Sequence, residues 1–133
     1  MGLDNGIYVK SNRREITRDI LPESLVYPFD GNDVEIAYWR KCWGLRNNIL
    51  NVLGTRFAED NYKSEIDTIE KVQDVMDVIY YFMDKEHWES EGDSIWEYEN
   101  SIRGLRDDYM NLVIMIEFMK DNPDVYLVFY DSY

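Results

Sequence analysis

Asp67, Glu70, Asp74 and Asp77 recur at steps of three, four and three, and Asp84 follows seven residues later. On a helix this spacing lines the carboxylates along one face, with neighbours about 5–6 Å apart. A row of fixed negative charges at such intervals imitates the phosphates of a nucleic-acid strand. The chemistry it suggests is occupation of a basic groove, not bond-making. Glu65, Glu86, Glu89, Glu91 and Asp93 carry the charge past both ends of the row. The competing use of the same residues is a solvated helix face, which needs no partner.

A second constellation is Tyr38-Trp39-Arg40-Lys41-Cys42-Trp43 with Arg46. If this stretch is one helix, Trp39, Trp43 and Arg46 share a face. Two indoles and a guanidinium could then sandwich a base and hold a phosphate. Trp39, Arg40, Trp43 and Arg46 are therefore candidate nucleotide ligands, with Arg13, Arg14 and Arg18 upstream as further cations. The alternative is that the tryptophans are core and that the arginines pair with some of the 27 acids.

Motifs for catalysis do not emerge. The single histidine, His87, sits in Lys-Glu-His-Trp-Glu, and a triad or a histidine-rich metal site needs more than that. The acids around it match no EF-hand spacing. No phosphate-cradling glycine loop of either common type occurs. Cys42 reads as a small core residue. The expectation is a non-enzymatic protein with no catalytic residues, no metal and no cofactor.

The charge distribution sharpens this picture. Residues 1–63 carry nine basic and nine acidic side chains, so the whole net charge of −13 falls on residues 64–133. That field repels nucleic acid and attracts basic protein surfaces. With 45% hydrophobic and 15% aromatic residues, the 133-residue chain reads as one folded domain despite its charge. A lone cysteine forms no internal disulfide and fits a reducing cytoplasm. No apolar run approaches the roughly 18 residues of a membrane span, and the first residues lack the pattern of a signal peptide.

The elements that must position these residues follow from apolar periodicity. Tyr98, Ile102, Leu105, Tyr109, Leu112, Ile116 and Met119 step four and three in turn, predicting a long helix. Ser94 with Glu97 would open it as a capping box, and Asp121-Asn122-Pro123 would close it. A first helix is predicted from Asn32 or Asp33 to about Gly54, on the seam Tyr38, Cys42, Leu45, Ile49 and Val52. A second is predicted with Ser64 as its cap, on Ile69, Val72, Met76, Ile79 and Met83. Ile7-Tyr8-Val9 and Val125–Tyr130 are β-prone. The predicted fold is α+β and mostly α, an antiparallel three-helix bundle with a two-stranded sheet made by the N- and C-terminal strands.

The opening Met1–Ile7 (Met-Gly-Leu-Asp-Asn-Gly-Ile), the Tyr38–Trp43 block, Ser94-Ile95-Trp96-Glu97 and the closing Tyr130-Asp131-Ser132-Tyr133 resemble a group of small proteins of phages and mobile elements of Gram-positive bacteria. The resemblance transfers no catalytic or binding residues. It implies a setting in a bacterial host cell, where small acidic phage proteins often inhibit host defence and several act as DNA mimics. The expected function is thus an inhibitor that meets the basic surface of a nucleic-acid-binding protein through Asp67, Glu70, Asp74, Asp77 and Asp84. Two other readings stand beside it: a protein that sequesters a nucleotide through the Trp/Arg cluster, and a small assembly protein that forms a homo-oligomer.

Overall fold

A computed structural model of the chain describes residues 4–29, 34–40, 42–54, 63–91 and 95–132, and within its last helix the side chains of Tyr98 and of residues 104 onward. Among the described residues four strands and four helices follow one another. They are β1 (Asp4–Ser11), β2 (Glu35–Arg40), α1 (Trp43–Val52), β3 (Lys63–Ile66), α2 (Ile69–Phe82), α3 (Lys85–Ser90), α4 (Ile95–Asp121) and β4 (Val125–Ser132). A 3-10 turn, Arg18–Ile20, lies between β1 and β2.

The strands form one antiparallel sheet in the order β2-β1-β4-β3. This replaces the expected three-helix bundle and two-stranded ribbon. β1 and β4 do pair, from Asp4 opposite Ser132 to Ser11 opposite Val125, but as the two central strands of a larger sheet. Alternation then decides which side chains go inward. Ile7 and Val9 of β1, Ile66 of β3, and Val125, Leu127 and Phe129 of β4 are buried. They share one core with Leu45, Ile49 and Leu50 of α1, Val72, Val75, Ile79 and Phe82 of α2, and Leu105, Leu112 and Met115 of α4. The helices therefore cover one face of the sheet, a two-layer arrangement.

Three local corrections account for the difference. The predicted first helix is in its front part a strand, because Ile36-Ala37-Tyr38-Trp39 is β-prone and finds an edge on β1. The register slips between Ile7 and Tyr8, so that Ile7 faces Ala37 while Tyr8 faces Glu35. This bulge buries Ile36 and Ala37 side by side and erases the alternation that would have announced a strand. Asn32 and Asp33, the expected helix start, lie outside the described residues. The helix itself begins at Trp43, with Cys42 buried as its N-cap residue.

Ser64 is not a helix cap. It stands in β3 opposite Phe129, and the cap of α2 is Thr68, whose hydroxyl accepts from the Lys71 N–H at 3.1 Å. Asp84 opens a helix that the sequence did not announce: its Oδ1 accepts from Glu86 N–H at 2.9 Å and His87 N–H at 3.2 Å. Trp88, fully buried against Phe82 and Tyr98, anchors that short helix α3. The long helix runs as expected, and Asn122 closes it by donating to the Phe118 carbonyl at 2.9 Å. Ser94 and the Glu97 side chain of the expected capping box lie outside the described residues, as do the side chains of Ile95, Trp96 and Ile102.

Candidate functional site

The acidic row is carried by α2 and its flanks. Val72, Val75, Met76, Val78, Ile79 and Phe82 are buried on one side of that helix, which leaves Glu70, Asp74 and Asp77 exposed on the other. Glu70 and Asp74 are four residues apart and Asp74 and Asp77 three, so they stand as helical neighbours. None of these three has an ion pair among the described residues.

The two ends of the row differ from its middle. Asp67 precedes the helix and is bonded to Lys71 Nζ at 2.8 Å, an exposed pair. That bond holds its carboxyl below the usual range. Asp84 spends one oxygen on the backbone of α3, although its side chain remains 56% exposed. Of the five predicted acids, Glu70, Asp74 and Asp77 share a helix face, while Asp67 and Asp84 flank α2 at its two ends.

Aromatic residues stand directly beside these acids. Tyr80 is 68% exposed and Tyr81 38% exposed. The Tyr81 ring stacks on the His87 imidazole, with centroids 3.9 Å apart and planes 3° from parallel. His87 Nδ1 also lies 3.0 Å from the Tyr81 carbonyl oxygen. Two surface depressions flank this point: one of about 340 Å³ towards α1 and the end of α3, the other of about 620 Å³ towards α3. The signal available in the sequence was Tyr80-Tyr81 following Asp77 by three and four residues. Among the described residues no group of three or more His, Cys, Asp and Glu side chains is placed to hold a metal ion.

The Trp/Arg cluster is taken apart by the strand. Trp39 lies on β2 and is buried, its ring 6.4 Å from Phe129. Arg40 is exposed at the end of that strand. Trp43, 43% exposed, opens α1. Arg46 stays near Trp43, its guanidinium carbon 5.6 Å from the ring centroid, yet that guanidinium is committed inward. Its Nε donates to Asp131 Oδ2 at 2.7 Å and its Nη2 reaches the same oxygen at 2.5 Å. Asn5 Nδ2 completes the group by donating to Asp131 Oδ1 at 3.0 Å. Two indoles cannot sandwich a base when one of them is core.

Other polar contacts tie the strands together on the opposite face of the sheet. Tyr38 donates to Asp4 Oδ1 at 2.6 Å, and Tyr130 donates to Glu35 Oε1 at 2.5 Å across Gly6. Burial, and then the bond to Asp4, push the Tyr38 phenol up to about 12. Burial and Glu35 raise Tyr130 in the same direction. Behind the sheet, Asp108 of α4 is buried, and burial raises its carboxyl well above the usual range. The Trp39 indole, which opposes that shift, lies near without reaching hydrogen-bond geometry.

No protein-family model matches this chain, and no curated protein or solved structure matches it at a significant level. Among the described residues no helix is long and apolar enough to cross a membrane.

Proposed function

We propose that this protein is a non-enzymatic acidic interaction protein that occupies a basic surface of a nucleic-acid-binding protein in place of phosphates. The observation that carries this reading is the outer face of α2, where Glu70, Asp74 and Asp77 stand exposed with no ion pair among the described residues. Asp67 and Asp84 extend the charge at its two ends. Carboxylates of one sign along a rigid rod oppose the helix slightly, and a cationic partner turns that cost into attraction. The likeness to phage and mobile-element proteins adds a setting, inhibition of a bacterial defence factor.

The test is a pull-down from bacterial lysate at low and high salt. It compares the native chain with a variant carrying Asp67→Asn, Glu70→Gln, Asp74→Asn and Asp77→Asn. The expected result is a nucleic-acid-binding protein held only by the native chain, released by salt and displaced by duplex DNA. An identical catch from both chains, insensitive to salt, overturns the reading. Sedimentation of the native chain at several concentrations separates it from self-assembly.

A further inference from the structure

We propose that the Asp77–Tyr81 ridge of α2 is a docking surface for two arginine side chains of a basic segment, one on each side of the ridge. This rests on the charge-docking reading above and specifies which cation the partner presents. Asp77 and Tyr81 are one helical turn apart and line both depressions. The first, of about 340 Å³, is walled by Val52 of α1, by Asp74 and Val78 of α2, and by Glu91 after α3. The second, of about 620 Å³, adds Tyr80, Met83, Asp84 and His87. Both combine apolar walls with at least two carboxylates. No Lys or Arg among the described residues lines either one.

This composition selects a partner. An anionic ligand is repelled by every carboxylate of the groove, and an uncharged apolar segment would desolvate those carboxylates without offering them a counter-charge. A cation with an apolar stem satisfies both kinds of wall. Between the two such side chains, arginine fits better. Its guanidinium is flat, stacks on an aromatic ring and delivers parallel N–H donors to carboxylates, whereas an ammonium is a compact, strongly hydrated point charge.

Tyr81 is ready for such stacking. Tyr81 lines both depressions; its ring stacks on His87, which lines the second, and meets Phe82, which lines the first, edge-on with centroids 5.4 Å apart. The stacked imidazole and its contact to the Tyr81 carbonyl hold that ring in place before any partner arrives. Tyr80, the most exposed large hydrophobic residue among those described, offers a second ring at the other depression.

The experiment uses the full chain and two labelled probes, hexa-arginine and hexa-lysine, with binding read by fluorescence anisotropy across a salt series. The native protein is expected to bind hexa-arginine about tenfold more tightly than hexa-lysine. Tyr81→Leu should abolish that preference and leave the hexa-lysine affinity as it was. Asp77→Asn, an exposed change that leaves the helix intact, should weaken hexa-arginine more than hexa-lysine. Equal affinities for the two probes overturn the arginine assignment while charge docking stands. Failure of both probes to bind at low salt overturns both readings.

Discussion

The Arg46 guanidinium and the Asp131 carboxylate meet in the interior at 2.5 Å, with side chains 5% and 0% exposed. They join α1 to the last strand across 85 residues of sequence. A pair so placed is costly to break by halves, because the survivor becomes an unpaired buried charge. Asp131→Ala should destabilise the fold by about 3–5 kcal/mol, read as a lower urea midpoint. The double change Arg46→Met with Asp131→Leu should recover most of that loss. A double variant no more stable than the single one would mean that the pair is not acting as a unit.

Asp108 sits at the other extreme, a buried carboxyl with one orphaned oxygen. Its folded pKa lies well above 3.8. Below about pH 4 both folded and unfolded chains bind the proton, and the group adds no pH dependence. As pH rises towards the folded value, only the unfolded chain releases its proton, and stability falls. Asp108→Asn keeps the shape of the side chain and removes that penalty. The variant should be more stable than the native chain at pH 7, and the gain should vanish below pH 4. Chemical denaturation at the two pH values checks it.

Gly6 lies where Glu35 and Tyr130 clasp across the sheet. A Cβ there would meet the Ala37 carbonyl oxygen and Tyr130 Cε1 at 2.6 Å each, and would strike the Glu35 carboxylate as well. Gly6→Ala should cost about 1–3 kcal/mol through forced displacement of these neighbours. It should also free the Tyr130 hydroxyl, so that one more tyrosine ionises in an alkaline absorbance titration.

Neutralising the acids of α2 should spare the fold. Asp74→Asn with Asp77→Asn removes like-charge repulsion at three- and four-residue spacing, worth a few tenths of a kcal/mol, about 0.2–0.5 per pair. The melting temperature should hold or rise slightly. A melt that drops by several degrees would assign these acids a structural duty.

The cap of α2 gives a local control. Thr68→Ala removes the acceptor for the Lys71 N–H and should cost about 1 kcal/mol. Ser64→Ala, in contrast, should leave the start of that helix unchanged by circular dichroism.

These residues also show how far the sequence could be read. The long helix was legible because Leu105, Leu112 and Met119 keep one period over many turns, and all three are buried. Glu70, Asp74 and Asp77 were legible as a row for the same reason. Glu35–Arg40 was not. Its bulge places two core residues in succession, and the 3–4 spacing of Cys42, Leu45 and Ile49 extends backwards through Tyr38 by accident. Ser64 and Thr68 both resemble caps, and only the edge left open on β4 decides between them. The pairing of Arg46 with Asp131 leaves no local trace, since periodicity reports which face is buried and not which distant charge is met. Tyr80 and Tyr81 were visible as residues, but their exposure was not.

The position of β1 beside β4 has a consequence for synthesis. β1 leaves the ribosome well before β4, and its pairing with β4 waits until residue 125 and those after it have been translated. Until then the inward faces of α1, α2 and α4 lack half of the sheet that covers them. Closing a loop of that length before its contacts are rewarded slows folding, so the nascent protein depends on whatever shields apolar helices during that interval.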